Sequence, residues 1–280
     1  MKDSHRVKNT GNDRLRPVGI FDSGLGGLTV LSEVRKLLPR ENVIYFGDSG
    51  RAPYGTKSRE TVRKYTADDM GFLLSQNVKA IVVACNTAAA CSGREYFDTF
   101  DVPVVDVIEA GAEAALAVTR NRSIGVIGTQ ATIRSGIYEK AVKAIDPQAK
   151  YTARACPLFV PLVEEGWWDG DIVKAVARKY LEDIPADVDT LVLGCTHYPF
   201  LEKVIREQLP GVRTVNSAKV VAGKLREILL KNELLSDSSD DPFVKYYTSD
   251  SVEKFASLGG MFLGELGGDV QKIDIETISV

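Results

Sequence analysis

The chain has 280 residues, of which 44% are hydrophobic and 26% are charged, and its formal net charge is -3 at pH 7. These values are ordinary for a globular protein of one large domain or two moderate ones. They provide no global attraction to nucleic acid or to an anionic membrane, and no run approaches the roughly 20 apolar residues that a membrane-spanning helix needs.

Residues 1–16 are charged and lack the apolar segment of a secretory signal, so we expect a flexible tail. The four cysteines include no CxxC pair, and a single histidine outside this tail is a poor supply for a structural zinc site. We therefore expect reduced thiols, a cytoplasmic location and no bound metal.

Short β-branched runs alternate with helical patterns along most of the chain. The predicted strands cover residues 17–22, 42–48, 79–85, 102–107, 123–129, 151–156, 189–195 and 212–216. Helical segments include residues 28–38, 59–75, 133–145, 171–181 and 200–208. Several strands are apolar without polar alternation, which is typical of parallel strands covered on both faces. The pattern favours a doubly wound, open α/β fold, with a closed eight-fold barrel as the alternative.

Two pairs of segments look like copies of each other. "VGIFDSG" from Val18 matches "IGVIGTQ" from Ile124, and "VKAIVVACNT" from Val78 matches "VDTLVLGCT" from Val188. The matching order and similar spacing predict two pseudo-symmetric α/β lobes with the active site in the cleft between them. Residues 17–108 and 218–280, which end in a predicted strand–helix–strand, form the first lobe, and residues 109–217 form the second.

Cys85 and Cys195 end equivalent predicted strands, and in open α/β sheets the reactive crevice lies beyond the carboxyl ends of the strands. Facing lobes would present these thiols from opposite sides of one cleft. This arrangement suits removal of a proton from one face of a carbon and its return to the other face. A cysteine acts as a base in its thiolate form, and neighbouring groups or a helix N-terminus must favour that form. Each of these two cysteines precedes a predicted helix. We interpret Cys91 and Cys156 as structural, buried thiols.

Polar residues near these strand ends are candidates for assisting roles. His197 lies two residues after Cys195 and can act as a proton relay or thiolate partner; a structural histidine is the alternative. Asp22 and Ser23 end the first predicted strand and place a carboxylate and a hydroxyl near the crevice, although a turn or N-cap role is common for aspartate.

Two small-residue turns complete the candidate site. "GLGG" at 24–27 lacks the last glycine of a dinucleotide-binding motif, because Thr29 stands there, and the P-loop lysine is also missing. Its backbone amides are therefore predicted to approach a small anion such as a carboxylate. "APYGT" at 52–56 would present an aromatic hydroxyl and amides to the same ligand, or it is an ordinary solvent turn.

Five motifs in order identify a family. The chain resembles the glutamate racemases of bacteria, within the cofactor-independent aspartate/glutamate racemase superfamily, in "GIFDSGLGGLTVL", "YFGDSGRAPYGTKS", "VVACNTAAA", "CPLFVPLVEEG" and "LGCTHYPFL". The resemblance spans residues 17 to about 217 and implies interconversion of L- and D-glutamate without a cofactor. The D form would feed peptidoglycan synthesis.

The resemblance also implies residue roles. Cys85 and Cys195 would be the catalytic acid/bases, with Asp22 assisting Cys85 and with His197 and Glu164 assisting Cys195. The adjacent Glu165 leaves the identity of the assisting carboxylate open. Substrate contacts are implied at Asp22, Ser23, Pro53, Tyr54, Gly55, Asn86, Thr87, Thr129, Thr132, Thr196 and His197. The expected partner is glutamate, with no nucleic acid and no membrane, and a homodimer is left open.

Three alternatives differ in chemistry or class. Racemisation of aspartate or another amino acid would use the same chemistry in a pocket of different length. A hydrolase or decarboxylase of the same superfamily would need one cysteine, and the paired thiols speak against it. A two-lobed amino-acid-binding protein would typically carry an export signal and would have no use for two reactive thiols.

Overall fold

The computed structural model describes residues 13–266 and 268–277, so residues 1–12 of the predicted tail lie outside it. In the described part, the strands are β1 Val18–Asp22, β2 Val43–Gly47, β3 Ala80–Val83, β4 Val104–Asp106, β5 Ser123–Gly128, β6 Lys150–Ala155, β7 Thr190–Gly194, β8 Arg213–Val215, β9 Val244–Thr248 and β10 Val270–Lys272.

The α-helices lie between these strands and follow most of them directly. They are α1 Leu28–Leu37, α2 Arg59–Ser75, α3 Asn86–Ser92, α4 Arg94–Phe97, α5 Val107–Val118, α6 Gln130–Arg134, α7 Ile137–Ile145, α8 Phe159–Glu164, α9 Asp171–Leu181, α10 Glu202–Gln208, α11 Ala218–Lys231 and α12 Val252–Leu263. No helix in the described ranges is long and apolar enough to cross a membrane.

The strands form two open sheets in which every pairing is parallel. One sheet has the order β10-β9-β2-β1-β3-β4 and the other has the order β6-β5-β7-β8. The order β2-β1-β3-β4 is therefore repeated in β6-β5-β7-β8. The predicted pair of doubly wound α/β lobes is confirmed, and the alternative of a closed barrel is wrong. The lobe boundaries drawn at residues 108 and 217 stay a prediction.

The central strands are buried because both faces of each sheet are covered by helices. All residues of β1, β2, β3, β5 and β7 are buried, as the uninterrupted apolar runs predict for parallel strands. Helix α5 packs against β7 and α7 of one lobe and against α3 and α11 of the other. Asp106 caps its first turn by accepting a hydrogen bond from the backbone N–H of Ile108 at 2.8 Å.

Some element predictions differ from the structure for local reasons. The helix predicted at 133–145 is broken into α6 and α7, because Gly136 adopts a left-handed conformation with φ 66°. The helix predicted at 200–208 starts as a 3-10 turn, Tyr198–Leu201, and Cys195 is therefore not followed directly by an α-helix. The strand predicted at 270–278 ends at Lys272 and is followed by a 3-10 turn, Ile275–Thr277.

The described end of the predicted tail is held against the first lobe. Asp13–Leu15 forms a 3-10 turn, and the Arg16 guanidinium donates hydrogen bonds to the carbonyls of Asn77 and Val78. These contacts anchor residues 13–16 beside β3.

Candidate active site

The carboxyl ends of the central strands of both lobes meet at one small cavity. Asp22 ends β1 and Cys85 follows β3 in the first lobe, while Thr129 follows β5 and Cys195 follows β7 in the second. The cavity has a volume of about 20 Å³, room for about one water molecule. It is lined by Ser23, Gly24, Ala52, Pro53, Tyr54, Gly55, Cys85, Asn86, Thr87, Thr129, Val160, Glu164, Cys195, Thr196 and His197. The cleft is thus closed around the two sulfur atoms.

Cys85 occupies the N-cap position of α3. Its Sγ accepts a hydrogen bond from the backbone N–H of Ala88 at 3.5 Å, and the residue is 4% exposed. Burial and the nearby negative charge of Asp22 raise the pKa of the Cys85 thiol well above its usual value. Cys85 is therefore a protonated thiol in this state.

Asp22 connects the lobes from the floor of the cleft. The Gly24 backbone N–H donates to Asp22 Oδ2 at 3.1 Å, and the Thr196 hydroxyl donates to Asp22 Oδ1 at 3.3 Å from the opposite lobe. Burial raises the pKa of Asp22, and the charge of His197 opposes that rise. Asp22 does not itself line the cavity, but it contacts residues that do.

Cys195 is accompanied by an imidazole and a carboxylate. Cys195 Sγ lies 3.8 Å from His197 Nδ1, and His197 Nε2 lies 3.3 Å from Glu164 Oε1. The second contact is close enough for an ion pair but is not aligned as a hydrogen bond, so we treat it as electrostatic. Glu165 is exposed, so Glu164 is the one of the two adjacent glutamates that contacts His197, and its assisting role stays a prediction.

The ionisation of His197 follows from these neighbours. Burial is the largest single influence on His197 and lowers its pKa. The contacts of His197 with Cys195 and Glu164 together outweigh burial and raise that pKa to about 10. Burial alone would raise the pKa of Glu164, yet the interaction with His197 lowers it. An imidazolium therefore stands between an anionic carboxylate and Cys195.

Threonine hydroxyls join the lobes on another side of the cavity. Thr87 Oγ1 lies 2.9 Å from Thr129 Oγ1 and 3.3 Å from Thr132 Oγ1, and Thr129 also caps α6 by accepting from the Thr132 N–H. A Cβ placed on Gly55 would lie 2.5 Å from Thr129 Cβ. Only glycine permits this approach of the 52–56 segment to the second lobe.

The structure turns the Tyr54 hydroxyl elsewhere, contrary to the expectation that it faces a ligand. The hydroxyl contacts Asp48 and Asp69, neither of which lines the cavity, although Tyr54 is itself a lining residue. The place of Tyr54 among the substrate contacts stays a prediction.

Several supporting residues were missed in the sequence. The Tyr138 hydroxyl donates to Asn86 Oδ1 at 2.6 Å across the lobes, and the Tyr45 hydroxyl donates to the Gly24 carbonyl at 2.8 Å. The Phe262 ring from α12 meets the His197 ring edge-on at a centroid distance of 6.3 Å. A lone aromatic residue in an ordinary helix or strand carries no signal for such contacts. Gly24, in contrast, stands in the "GLGG" segment already singled out.

Within residues 13–266 and 268–277, no group of three His, Cys, Asp or Glu side chains is arranged to hold a metal ion. All four cysteines are free and buried. The chemistry available at the cavity is therefore that of two thiols with a different ionisable neighbour beside each one.

Comparison with known proteins agrees with this geometry. Residues 28–225 match the Asp/Glu/Hydantoin racemase family model. The glutamate racemase of Geobacter metallireducens is 51% identical over 93% of this chain and 97% of its own length, and that of Neisseria gonorrhoeae is 43% identical over 96% and 100%. The crystal structure of a glutamate racemase isoform from Bacillus anthracis superposes with a TM-score of 0.89 at 39% identity, covering 93% of this chain and 98% of that one. The chain thus belongs to the Asp/Glu/Hydantoin racemase family, and its similarity to glutamate racemases extends over nearly its whole length.

Proposed function

We propose that this chain racemises glutamate, interconverting the L and D forms by moving the proton on Cα between two cysteines. The observation that carries the proposal is that Cys85 and Cys195 come from different lobes and line one cavity. Glutamate racemases of similar sequence and nearly equal length support the choice of substrate. The D-glutamate formed supplies peptidoglycan synthesis.

The first half of the reaction uses Cys195 as the base. The imidazolium of His197 stabilises negative charge on Cys195 Sγ, which lies 3.8 Å from its Nδ1. The thiolate takes the α-proton as the Cα–H bond breaks, and the Cys85 thiol delivers its proton to the opposite face of the same carbon. Cys195 is then a thiol and Cys85 a thiolate, so the roles exchange for the other enantiomer.

The site must compensate for the weak acidity of an amino-acid Cα–H. It does so by positioning the base and by stabilising charge in a cleft from which water is excluded. Burial disfavours the Cys85 thiolate, whereas the backbone N–H of Ala88, which donates to Cys85 Sγ at 3.5 Å, favours it when Cys85 acts as the base. The cavity of about 20 Å³ is far smaller than glutamate, so the lobes separate to admit the substrate.

Substrate contacts come from both lobes in this proposal. The first lobe contributes Asp22, Ser23, Pro53, Tyr54, Gly55, Asn86 and Thr87, and the second contributes Thr129, Thr132, Thr196 and His197. All except Asp22 and Thr132 line the cavity. Asp22 accepts a hydrogen bond from the Thr196 hydroxyl, and the Thr132 hydroxyl contacts the Thr87 hydroxyl. Hydroxyls and backbone amides of this set bind the two carboxylates of glutamate.

Cellular location and assembly complete the proposal. Four free thiols fit the reducing conditions of a cytoplasm, and we place the protein there. We retain a homodimer as its assembly, to be tested by measuring its mass in solution.

The test of function uses purified protein and L-glutamate with no added cofactor. We expect optical rotation to decay to zero and an equal mixture of enantiomers to form, with much slower turnover of L-aspartate. Constant rotation with L-glutamate would refute the proposal, and faster decay with L-aspartate would favour the aspartate alternative.

A further inference from the structure

A buried cluster of charged residues lies directly behind the 52–56 segment. Its centre is Arg51, whose Nε donates to Asp48 Oδ2 at 2.7 Å and whose Nη2 donates to Asp69 Oδ1 at 2.9 Å. Arg51 Nη1 reaches Asp68 Oδ2 at 2.6 Å, and the guanidinium lies 4.2 Å from the ring centroid of Tyr65. Arg51 thus donates hydrogen bonds to three carboxylates, and its Nη1 also lies 3.6 Å from a fourth, Glu276 Oε1.

Two of these carboxylates have no contact with solvent. Asp48 and Asp69 are each 0% exposed, and Arg51 is 9% exposed. Burying more negative than positive charge is costly unless a carboxyl group takes up a proton. Among the residues that the structure describes, the other cation paired with these acids is Lys64, which is exposed and contacts Asp68 and Glu276 at the rim.

The hydrogen-bond count requires an additional proton. The Tyr54 oxygen lies within hydrogen-bond distance of Asp48 Oδ2 and, at 2.8 Å, of Asp69 Oδ2. A phenol has one hydrogen and can donate to one of these carboxylates only, so the other contact needs a carboxylic acid O–H that donates to the phenol oxygen. Burial and then the charges of Asp69 and Asp48 raise the pKa of Tyr54 well above its usual value, so it keeps its own hydrogen.

The donors around the two carboxylates indicate which one is protonated. Asp48 receives hydrogen bonds from Arg51, from Tyr54 and from the Ser249 hydroxyl at 2.7 Å, which together stabilise its anion. Asp69 lacks the hydroxyl donor that Asp48 has. Burial, followed by the negative charge of Asp48, raises the pKa of Asp69 well above the ordinary range.

Tyr54 connects the charged cluster to the cleft. Tyr54 lines the cavity, and the next residue, Gly55, fits against Thr129 with no room for a side chain. A shift of Tyr54 therefore moves the segment that closes on the second lobe.

We propose that Asp48, Arg51 and a protonated Asp69 are positioning residues that hold Tyr54 by its hydroxyl and so fix Pro53–Gly55 for binding of glutamate. The inference rests on the proposed function. It assigns to Asp69 the donor role of a neutral acid and to Asp48 the role of the buried anion.

Matched isosteric variants test this assignment. Asp69→Asn replaces a neutral acid by a neutral amide that still donates to Tyr54 and accepts from Arg51, so we expect a smaller rise in KM for glutamate than in Asp48→Asn. Asp48→Asn removes the anion that pairs with Arg51, so we expect KM to rise about tenfold or more, with a smaller change in kcat. KM is expected to change more than kcat because a displaced binding segment weakens binding of the ground state and of the transition state alike.

The milder Tyr54→Phe variant keeps the ring and loses only the hydroxyl. We expect it to fold and to raise KM in the same direction as Asp48→Asn. An Asp69→Asn variant as damaged as Asp48→Asn, or a Tyr54→Phe variant with wild-type KM, would overturn the proposal. Urea unfolding of the two asparagine variants separates this outcome from failure of the proposed function. Even if glutamate is not racemised, Asp48→Asn should lose stability and Asp69→Asn should not, and equal losses would again overturn the assignment.

Discussion

The two cysteines proposed as acid/bases have neighbours of opposite charge. Cys85 lies near the Asp22 carboxylate, which disfavours its thiolate, whereas Cys195 Sγ lies 3.8 Å from Nδ1 of the positively charged His197 imidazole. In the proposed mechanism, this difference in neighbours corresponds to different first roles for the two sulfur atoms.

Loss of either sulfur should stop racemisation. We expect Cys85→Ala and Cys195→Ala each to reduce kcat/KM by roughly 10²–10⁴-fold or more, because each removes the only acid or base on one face of the substrate carbon. Cys91→Ala is the matched control, since Cys91 lies in α3 and does not line the cavity. Wild-type turnover in either catalytic variant would rule out the two-base scheme.

The neighbouring glutamates offer a second matched pair. Glu164→Gln should lower kcat/KM roughly tenfold, because the carboxylate 3.3 Å from His197 Nε2 supports the imidazolium. Glu165→Gln should have no effect, since this side chain is exposed. Steady-state kinetics of the two variants test this difference, and equal losses of kcat/KM would show that Glu164 has no special role.

The protonated Asp69 predicts a pH dependence of stability. A carboxyl group whose folded-state pKa lies above its unfolded value contributes stability that is complete below that value, 3.8, and is lost as pH rises through the folded pKa. The charged groups that face it are Asp48, Arg51 and Asp68, with the Tyr54 phenol. We therefore expect Asp69→Asn to gain stability relative to wild type as pH rises from about 4 to 8 in urea titrations. A constant difference would contradict the assignment.

Contacts between side chains of different elements were beyond sequence reasoning. The motifs named Cys85, Cys195 and His197 because strand-end position and residue chemistry are local signals. The partners of Tyr54 are not local, since Asp69 lies on helix α2, 15 residues away. The direction of the Tyr54 hydroxyl depends on burial that the sequence does not reveal.

At the scale of elements, strand boundaries followed the apolar runs closely, and helix α2 was predicted at both ends. The failures occurred where backbone conformation overrides helical periodicity, as at Gly136 between α6 and α7. Helix α5, which packs on both lobes, was not predicted as an element, because its alanine-rich sequence has a weak polar face.

The turn that leads into helix α1 gives an element-scale prediction. A Cβ on Gly26 would lie 2.2 Å from Thr196 Oγ1 and 2.7 Å from His197 Nδ1, in the other lobe. Gly26→Ala should therefore displace both side chains and lower kcat/KM on the order of 10²-fold, as expected for misplacement by about an ångström. Gly223→Ala in α11 is the control because its added Cβ meets nothing within 4 Å. Wild-type kinetics of Gly26→Ala would contradict the tight fit of the lobes.

At the scale of the whole molecule, the repeated strand order brings equivalent strand ends face to face. The sequence predicted this symmetry from the echo between its two halves, and the family and α/β fold are confirmed. It could not predict how closely the lobes meet, because the contacts that close the cavity join residues far apart in the chain. The closed cavity has room for about one water molecule, so the proposed function requires the lobes to separate before glutamate can enter.

The most direct measurement of the central claim follows the α-hydrogen in deuterated water. Starting from L-glutamate, the D-glutamate formed in the first few per cent of reaction should carry deuterium at Cα, while the recovered L-glutamate should still carry hydrogen. This is the result for two acid/bases on opposite faces, since one thiol removes hydrogen and the other supplies deuterium from solvent. Early deuterium in both enantiomers to the same extent would contradict the account.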